Sequence, residues 1–217
     1  MNPLFELVFF DVDSTLVSIE GIDELAAGDP EIALLTEKAM NGEIPIDQVY
    51  RQRLERIRPT ARAVEALGAR YLENLVPGAE ETIATLKRAR VDVHLVTAGI
   101  RQAVALLAAK LGIPGRAIHA VELRFDERGE YAGYDERSPL ARPGGKELVV
   151  LNVRARSHGK AAFVGDGVTD LEAKDAVDRF IGFGGVKARE NVAAAAEFYV
   201  RDESLAAVLP YLVEEER

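Results

Sequence analysis

Leu7-Val-Phe-Phe-Asp-Val-Asp-Ser-Thr15 sets four apolar residues directly before two carboxylates spaced two apart. A short run of Leu, Val and Phe bounded by an Asp/Ser cluster predicts a strand buried on both faces, the kind a parallel sheet uses. In an open α/β sheet, ligands bind beyond the carboxyl ends of the strands, which puts Asp11 and Asp13 on the rim where chemistry is done. A carboxylate pair there can supply a nucleophile and a proton donor. The same residues could instead form a turn that caps a helix, with Asp13 or Ser14 as N-cap.

The rest of the chain repeats the strand signal. Apolar runs at 91–96, 161–164 and 179–183 alternate with longer helix-like segments at 77–90, 100–111, 145–156 and 168–176. This alternation predicts an α/β protein with a Rossmann-like parallel-sheet core and crossover helices. Gly112 is placed to end one of those helices. Residues 17–75 contain no convincing strand and are rich in Ala, Leu, Glu and Arg. A crossover needs far less chain, so this segment is expected to form a small helical cap domain inserted after the first strand. Residues 1–16 and 76–217 then make up the core. A β-hairpin is expected at 122–125 and 131–134, around the turn Asp126-Glu-Arg-Gly129.

Composition narrows the function classes. At 217 residues and 48% hydrophobic content the chain can bury a real core. No apolar stretch reaches the ~20 residues of a membrane-spanning helix, and no signal-like segment opens the chain, so a cytoplasmic location is expected. The absence of cysteine excludes disulfides, thiolate catalysis and cysteine-held metals. Any metal must sit on oxygen or on the three histidines, and magnesium suits so aspartate-rich a chain. A net charge of −9 and a pI near 5.0 argue against nucleic-acid binding. They leave room for a small anionic substrate, which a few well-placed cations can hold. The expected partner is that small molecule, with no membrane and no nucleic acid, on a monomer or homodimer.

A second acidic cluster, Gly165-Asp-Gly-Val-Thr-Asp170, follows the run at 161–164. Its glycines allow a tight strand-to-helix turn that carries Asp166 and Asp170 toward the rim of Asp11 and Asp13. Four carboxylates converging there would repel one another unless a divalent cation lay among them. Thr97 follows the run at 91–96, and Lys146 follows Gly144-Gly145 at an apparent helix start. A hydroxyl donor and an ammonium at those places could hold a phosphoryl group.

In this order the four motifs resemble the haloacid dehalogenase-like superfamily of phosphotransferases. Four further segments are similar to the phosphoserine phosphatase family within it: Glu20-Gly-Ile-Asp-Glu-Leu-Ala26, Ala39-Met-Asn-Gly42 with Arg53 downstream, Gly129-Glu-Tyr-Ala-Gly-Tyr134 and Phe180-Ile-Gly-Phe-Gly-Gly185. The resemblance implies that Asp11 attacks phosphorus, giving an aspartyl-phosphate. Asp13 would protonate the leaving hydroxyl and then activate water. It also implies Mg2+ on Asp11, the Asp13 backbone carbonyl, Asp166 and Asp170, the last directly or through water. Thr97 and Lys146 would hold phosphoryl oxygens above a loop shaped by Gly167 and Thr169, with Ala98 beside them. Glu20 would receive the substrate ammonium, Arg53 its carboxylate, and Met40 would form an apolar wall.

Taken without the resemblance, Glu20 reads as a helix-start acid, Arg53 as part of a charged face with Arg51 and Arg56, and Met40 as core filler. A hydrolase for another small phosphomonoester and a non-catalytic phosphate-binding module are the competing readings. Two departures from the family pattern stand out: Ala98 where a glycine is common, and Ile46 where a phenylalanine often closes the cap.

Overall fold

The computed structural model describes residues 2–214. In chain order the elements are β1 (Asn2–Pro3), β2 (Leu7–Phe10), α1 (Gly21–Leu25), α2 (Pro30–Met40), α3 (Ile46–Ile57), α4 (Ala61–Glu73) and α5 (Ala79–Arg88). Next come β3 (Asp92–Ile100), α6 (Arg101–Leu111), β4 (Ile118–Val121), β5 (Leu123–Phe125), β6 (Tyr131–Tyr134) and α7 (Gly145–Arg154). The chain closes with β7 (Ala161–Gly165), α8 (Val168–Leu171), β8 (Arg179–Phe183), α9 (Glu190–Ala195), β9 (Phe198–Val200) and β10 (Val213–Glu214).

Six strands form one parallel sheet in the order β4-β3-β2-β7-β8-β9. All four residues of β2 are buried, as a central strand covered on both faces requires. Its register pairs Phe10 with Leu95 on one side and Val164 on the other. The chain therefore leaves β2 toward β3 and later returns to pair β7 on the opposite side. That reversal opens a crevice at the carboxyl end of β2, where Asp11 begins the next loop.

The structure extends some expected elements and shortens others. The strand expected at 91–96 runs on as β3 to Ile100, with an irregular register against β4 between Val96 and Ile100, so Thr97 lies within the strand. The helix expected over 168–176 breaks after Leu171 into a 3-10 turn at Lys174–Ala176. Edge strands β4 and β9 were not expected; each is short, and only some of their residues are buried. The hairpin β5–β6 forms antiparallel as expected, its turn held by Asp126 Oδ1, which accepts from the amides of Arg128 and Glu130.

Between β2 and β3 the chain makes four helices before α5. Asp29 caps α2 by accepting from the Glu31 amide, with Pro30 in the first turn, and Thr60 caps α4 by accepting from the Ala63 amide. The buried face of α3 runs Ile46, Val49, Tyr50, Arg53, Leu54, and that of α4 runs Val64, Leu67, Gly68, Tyr71. Both follow the i, i+3, i+4, i+7 spacing of an amphipathic helix. The chain enters and leaves this helical segment side by side, through the Val17–Leu75 bridge and hydrogen bonds from the Ser18 amide to Asn74 O and from the Val76 amide to Leu16 O. None of the described helices is long and apolar enough to cross a membrane.

Away from the crevice, His94 of β3 is buried and its Nδ1 lies 3.1 Å from His119 Nε2 on the neighbouring strand. Burial and the His94 ring beside it push His119 from 6.5 down to about 4. The unfolded chain thus binds a proton that the folded one refuses between those values, so His119 removes stability as pH falls from 6.5 toward 4 and contributes nothing above. In His119→Gln the acid-side drop in melting temperature over that window should shrink relative to the parent, measured by thermal unfolding at half-unit pH steps.

Candidate active site

The loop after β2 sets the site. Val12 O accepts from the amides of Thr15, Leu16 and Val17, and Ser14 takes a left-handed conformation (φ 55°). This tight turn keeps Asp11 and Asp13 on the same rim. Next to them, β7 ends at Gly165, where a Cβ would lie 2.3 Å from Asp170 Cγ. Only glycine lets Asp170 fold back against the strand end.

Lys146, at the start of α7 and almost wholly buried, sits between two of the carboxylates. Its ammonium lies 2.6 Å from Asp170 Oδ1 and 3.0 Å from Asp11 Oδ1. Asp170 Oδ2 accepts from the Gly167 amide at 2.8 Å. Asp166 accepts from the Thr15 hydroxyl at 3.2 Å and from Arg189 Nε at 3.3 Å. Asp11, Asp166 and Asp170 each offer an oxygen within 4.8 Å of the others.

The electrostatics follow from burial. Desolvation first, then Asp170, pushes Asp11 up to about 6, although Lys146 pulls it the other way. Desolvation together with Asp170 and Asp11 drives Asp166 well above the usual carboxylate range. Burial would strip Lys146 of its proton, but Asp11 and Asp170 outweigh it and hold the ammonium charged. When all three carboxylates are ionised, Lys146 and Arg189 leave one negative charge uncompensated, and the raised Asp11 and Asp166 register that shortfall of positive charge. Asp11 Oδ1 makes no hydrogen bond although the Lys146 ammonium is near. An all-oxygen donor set with surplus negative charge fits a hard divalent cation.

The other expected residues gather over this cluster. A tight cavity between the strand ends and helices α1 to α3 is lined by Asp11, Asp13, Glu20, Met40, Arg53, Thr97, Ala98, Lys146 and Thr169. Thr97 Oγ1 accepts from the Gly99 amide, which leaves its own proton free to donate. Thr169 Oγ1 is buried without a partner. Met40 Sδ covers Gly167, 3.3 Å from where a Cβ there would sit. Glu20 accepts from the Ser14 hydroxyl at 2.6 Å and faces Lys187 at 3.5 Å. Arg53 is 3% exposed and is no part of a charged face. Its Nη1 donates to Thr36 Oγ1, which donates in turn to Asp23, while its Nε is buried with no partner. Asp166 and Asp170 are not among the residues lining the cavity.

Residues 5–177 match the family model of the haloacid dehalogenase-like hydrolases. The chain belongs to that family. It is 41% identical over 201 residues to phosphoserine phosphatase of Bos taurus, covering 91% of this chain and 89% of the relative. The human phosphoserine phosphatase is 39% identical over the same coverage. Among solved structures, a phosphoserine phosphatase captured as a phospho-aspartyl intermediate analogue superposes with a TM-score of 0.81 at 27% identity, covering 95% of this chain and 98% of the other. A substrate-bound phosphoserine phosphatase complex superposes with a TM-score of 0.83, also at 27% identity, covering 95% and 97%.

This haloacid dehalogenase-like site also contains residues that the sequence did not single out. Arg189, on the loop after β8, donates Nε to Asp166 and Nη1 to Glu37 and Asn41 of the α2 region, tying the acidic cluster to the helices above. Tyr50 donates to Ala98 O at 2.9 Å, and Tyr71 donates to Asp13 Oδ1 at 2.6 Å. Both tyrosines lie on the buried stripes of α3 and α4, where a polar tip aimed at the strand ends is a readable signal.

Removing Lys146 should strand two buried carboxylates. Lys146→Ala is expected to cost about 3–5 kcal/mol in chelator-treated buffer at pH 7, measured by urea unfolding. Without the ammonium, which holds its pKa down, Asp11 takes up a proton more readily when folded, so the deficit should narrow as pH falls from 7 to 5.

Proposed function

We propose that the chain hydrolyses O-phospho-L-serine to L-serine and phosphate, and so supplies the last step of serine synthesis. The observation that carries the reading is the pairing, in one cavity, of the partly buried acid Glu20 and the buried Arg53, with its unpartnered Nε, above the Asp11 cluster. A zwitterionic amino-acid end needs one anion and one cation, and a guanidinium suits its carboxylate. The roughly 40% identity to phosphoserine phosphatases supports the same reading.

Asp11 attacks phosphorus while the bond to the seryl oxygen breaks; that oxygen takes the proton of Asp13, giving serine and an aspartyl-phosphate. Asp13, now a carboxylate, draws a proton from water, whose oxygen attacks the phosphorus and returns Asp11. Thr97 and Lys146 donate to the equatorial oxygens, and Thr169 Oγ1, buried and unpartnered, is free to do so. The Ala98 backbone borders the same space. Asp11, the Asp13 backbone carbonyl, Asp166 and Asp170 would hold Mg2+. Its positive charge would stabilise the negative charge that builds on the phosphoryl oxygens. Residues 17–75 act as a cap domain on the core of 1–16 and 76–217, a division supported by the paired crossing of the chain at Val17 and Leu75. Met40 supplies the apolar wall of that cap. A cytoplasmic location and a monomeric or homodimeric state belong to the same proposal, to be read by fractionation and sedimentation.

Turnover should vanish on chelation and return with magnesium but poorly with calcium, whose larger and more flexible coordination sphere would fit the attacking Asp11 less well. Asp11→Asn should fold and lose turnover in a phosphate-release assay, because the amide keeps the shape without the attacking charge. Glu20→Gln and Arg53→Ala should each lower kcat/KM for phosphoserine by about 30-fold or more, with far less effect on a simple aryl phosphate. If the ratio between the two substrates stays constant in both variants, the amino-acid end is not read here, and the activity is that of a broader phosphomonoesterase.

A further inference from the structure

Asp13 is gripped from the helical segment. Tyr71 is fully buried on the apolar stripe of α4, and its hydroxyl donates to Asp13 Oδ1 at 2.6 Å. Packing alone would be served by phenylalanine, since burying a hydroxyl costs free energy that only a partner such as Asp13 offsets. The neighbouring backbone makes room for it. A Cβ on Gly21 would lie 2.1 Å from the Tyr71 hydroxyl oxygen, so the bare backbone at 21 gives the hydroxyl its passage. Asp13 Oδ2 turns the other way, 3.5 Å from where a Cβ on Gly99 would sit and so beside Thr97 at the cavity wall.

We propose that Tyr71 is a positioning residue for Asp13: by occupying Oδ1 it fixes the rotation of the carboxyl group so that Oδ2 faces the leaving oxygen of the substrate. This rests on Asp13 acting as the acid–base partner. As the Asp11–phosphorus bond forms and the bond to the seryl oxygen breaks, the electron pair goes to that oxygen, which takes the proton from Asp13 Oδ2. Asp13 is left as a carboxylate, still accepting from Tyr71. Without the Tyr71 bond the carboxyl rotates about its terminal torsion, and the proton is presented in the productive direction only part of the time.

The test uses leaving groups of different basicity. A seryl alkoxide needs a proton to depart, whereas a nitrophenolate hardly does, and kcat/KM reports the barrier up to that cleavage. Tyr71→Phe should lower kcat/KM for phosphoserine about 10-fold or more while that for p-nitrophenyl phosphate stays within about 2-fold. Gly21→Ala, which displaces the hydroxyl by a separate route, should give the same bias and carries the comparison if Tyr71→Phe fails to fold. Asp13→Asn is the reference and should show the largest bias. Equal losses on both substrates in Tyr71→Phe and Gly21→Ala, with the bias present in Asp13→Asn, would overturn the positioning role and leave the assignment of Asp13 intact. No bias in Asp13→Asn would overturn that assignment and the proposal with it.

Discussion

Three carboxylates buried within a few ångströms of one another are the constraint to which the rest of the molecule answers. Asp11, Asp166 and Asp170 reach one place because β2 and β7 are parallel neighbours that end in register, Phe10 beside Val164. Their repulsion in a desolvated setting is large, and Lys146 with Arg189 offsets only part of it. Several local choices then follow. Gly165 must be bare for Asp170 to fold back, α7 must begin where Lys146 can reach between the strands, and the loop after β8 must bring Arg189 over Asp166. The residual negative charge is what makes a divalent cation at home there.

The helices between β2 and β3 answer the same constraint from above. Their contacts with the strand ends are polar tips carried on apolar stripes: Tyr50 to Ala98 O and Tyr71 to Asp13. Arg189 closes the contact from the other side through Glu37 and Asn41. Each bond satisfies a buried group that would otherwise cost about 1–3 kcal/mol. Any movement of these helices away from the core exposes those groups together, so closure over the cavity and organisation of the acidic cluster are physically linked.

Central strands were legible in the sequence because burial on both faces leaves an uninterrupted apolar run, as at Leu7–Phe10. The edge strands Ile118–Val121 and Phe198–Val200 were not, because half-exposed residues such as His119 and Tyr199 dilute the signal. The carboxylates were legible through their place after buried strands. Arg53 was harder: flanked by the exposed Arg51 and Arg56, it reads as surface until the stripe Ile46, Val49, Tyr50, Leu54 is counted and Arg53 is seen to sit on it. Arg189 carried no such signal. It lies on a loop without periodicity, and its partners Glu37 and Asn41 are about 150 positions away, a pairing only the folded sheet creates.

The two departures from the family pattern resolve differently. Ala98 adds a methyl where a glycine would leave the backbone bare. In the fold the tight position is the next residue, since a Cβ on Gly99 would lie 3.1 Å from Thr97 Oγ1, whose hydrogen bond to the Gly99 amide orients the hydroxyl. Ala98 contributes its carbonyl to Tyr50 and lies half-buried beside the cavity, so the methyl is accommodated while glycine is kept where backbone and hydroxyl meet. Ile46 is another matter. It is buried at the first turn of α3 and lines the cavity on the same stripe as Arg53, filling the wall with less volume than an aromatic ring would. Under the proposed assignment of Arg53 to the substrate carboxylate, the effect of Ile46 would fall on the fit of the amino-acid end and would spare a phosphoryl end held by Lys146 and Thr97.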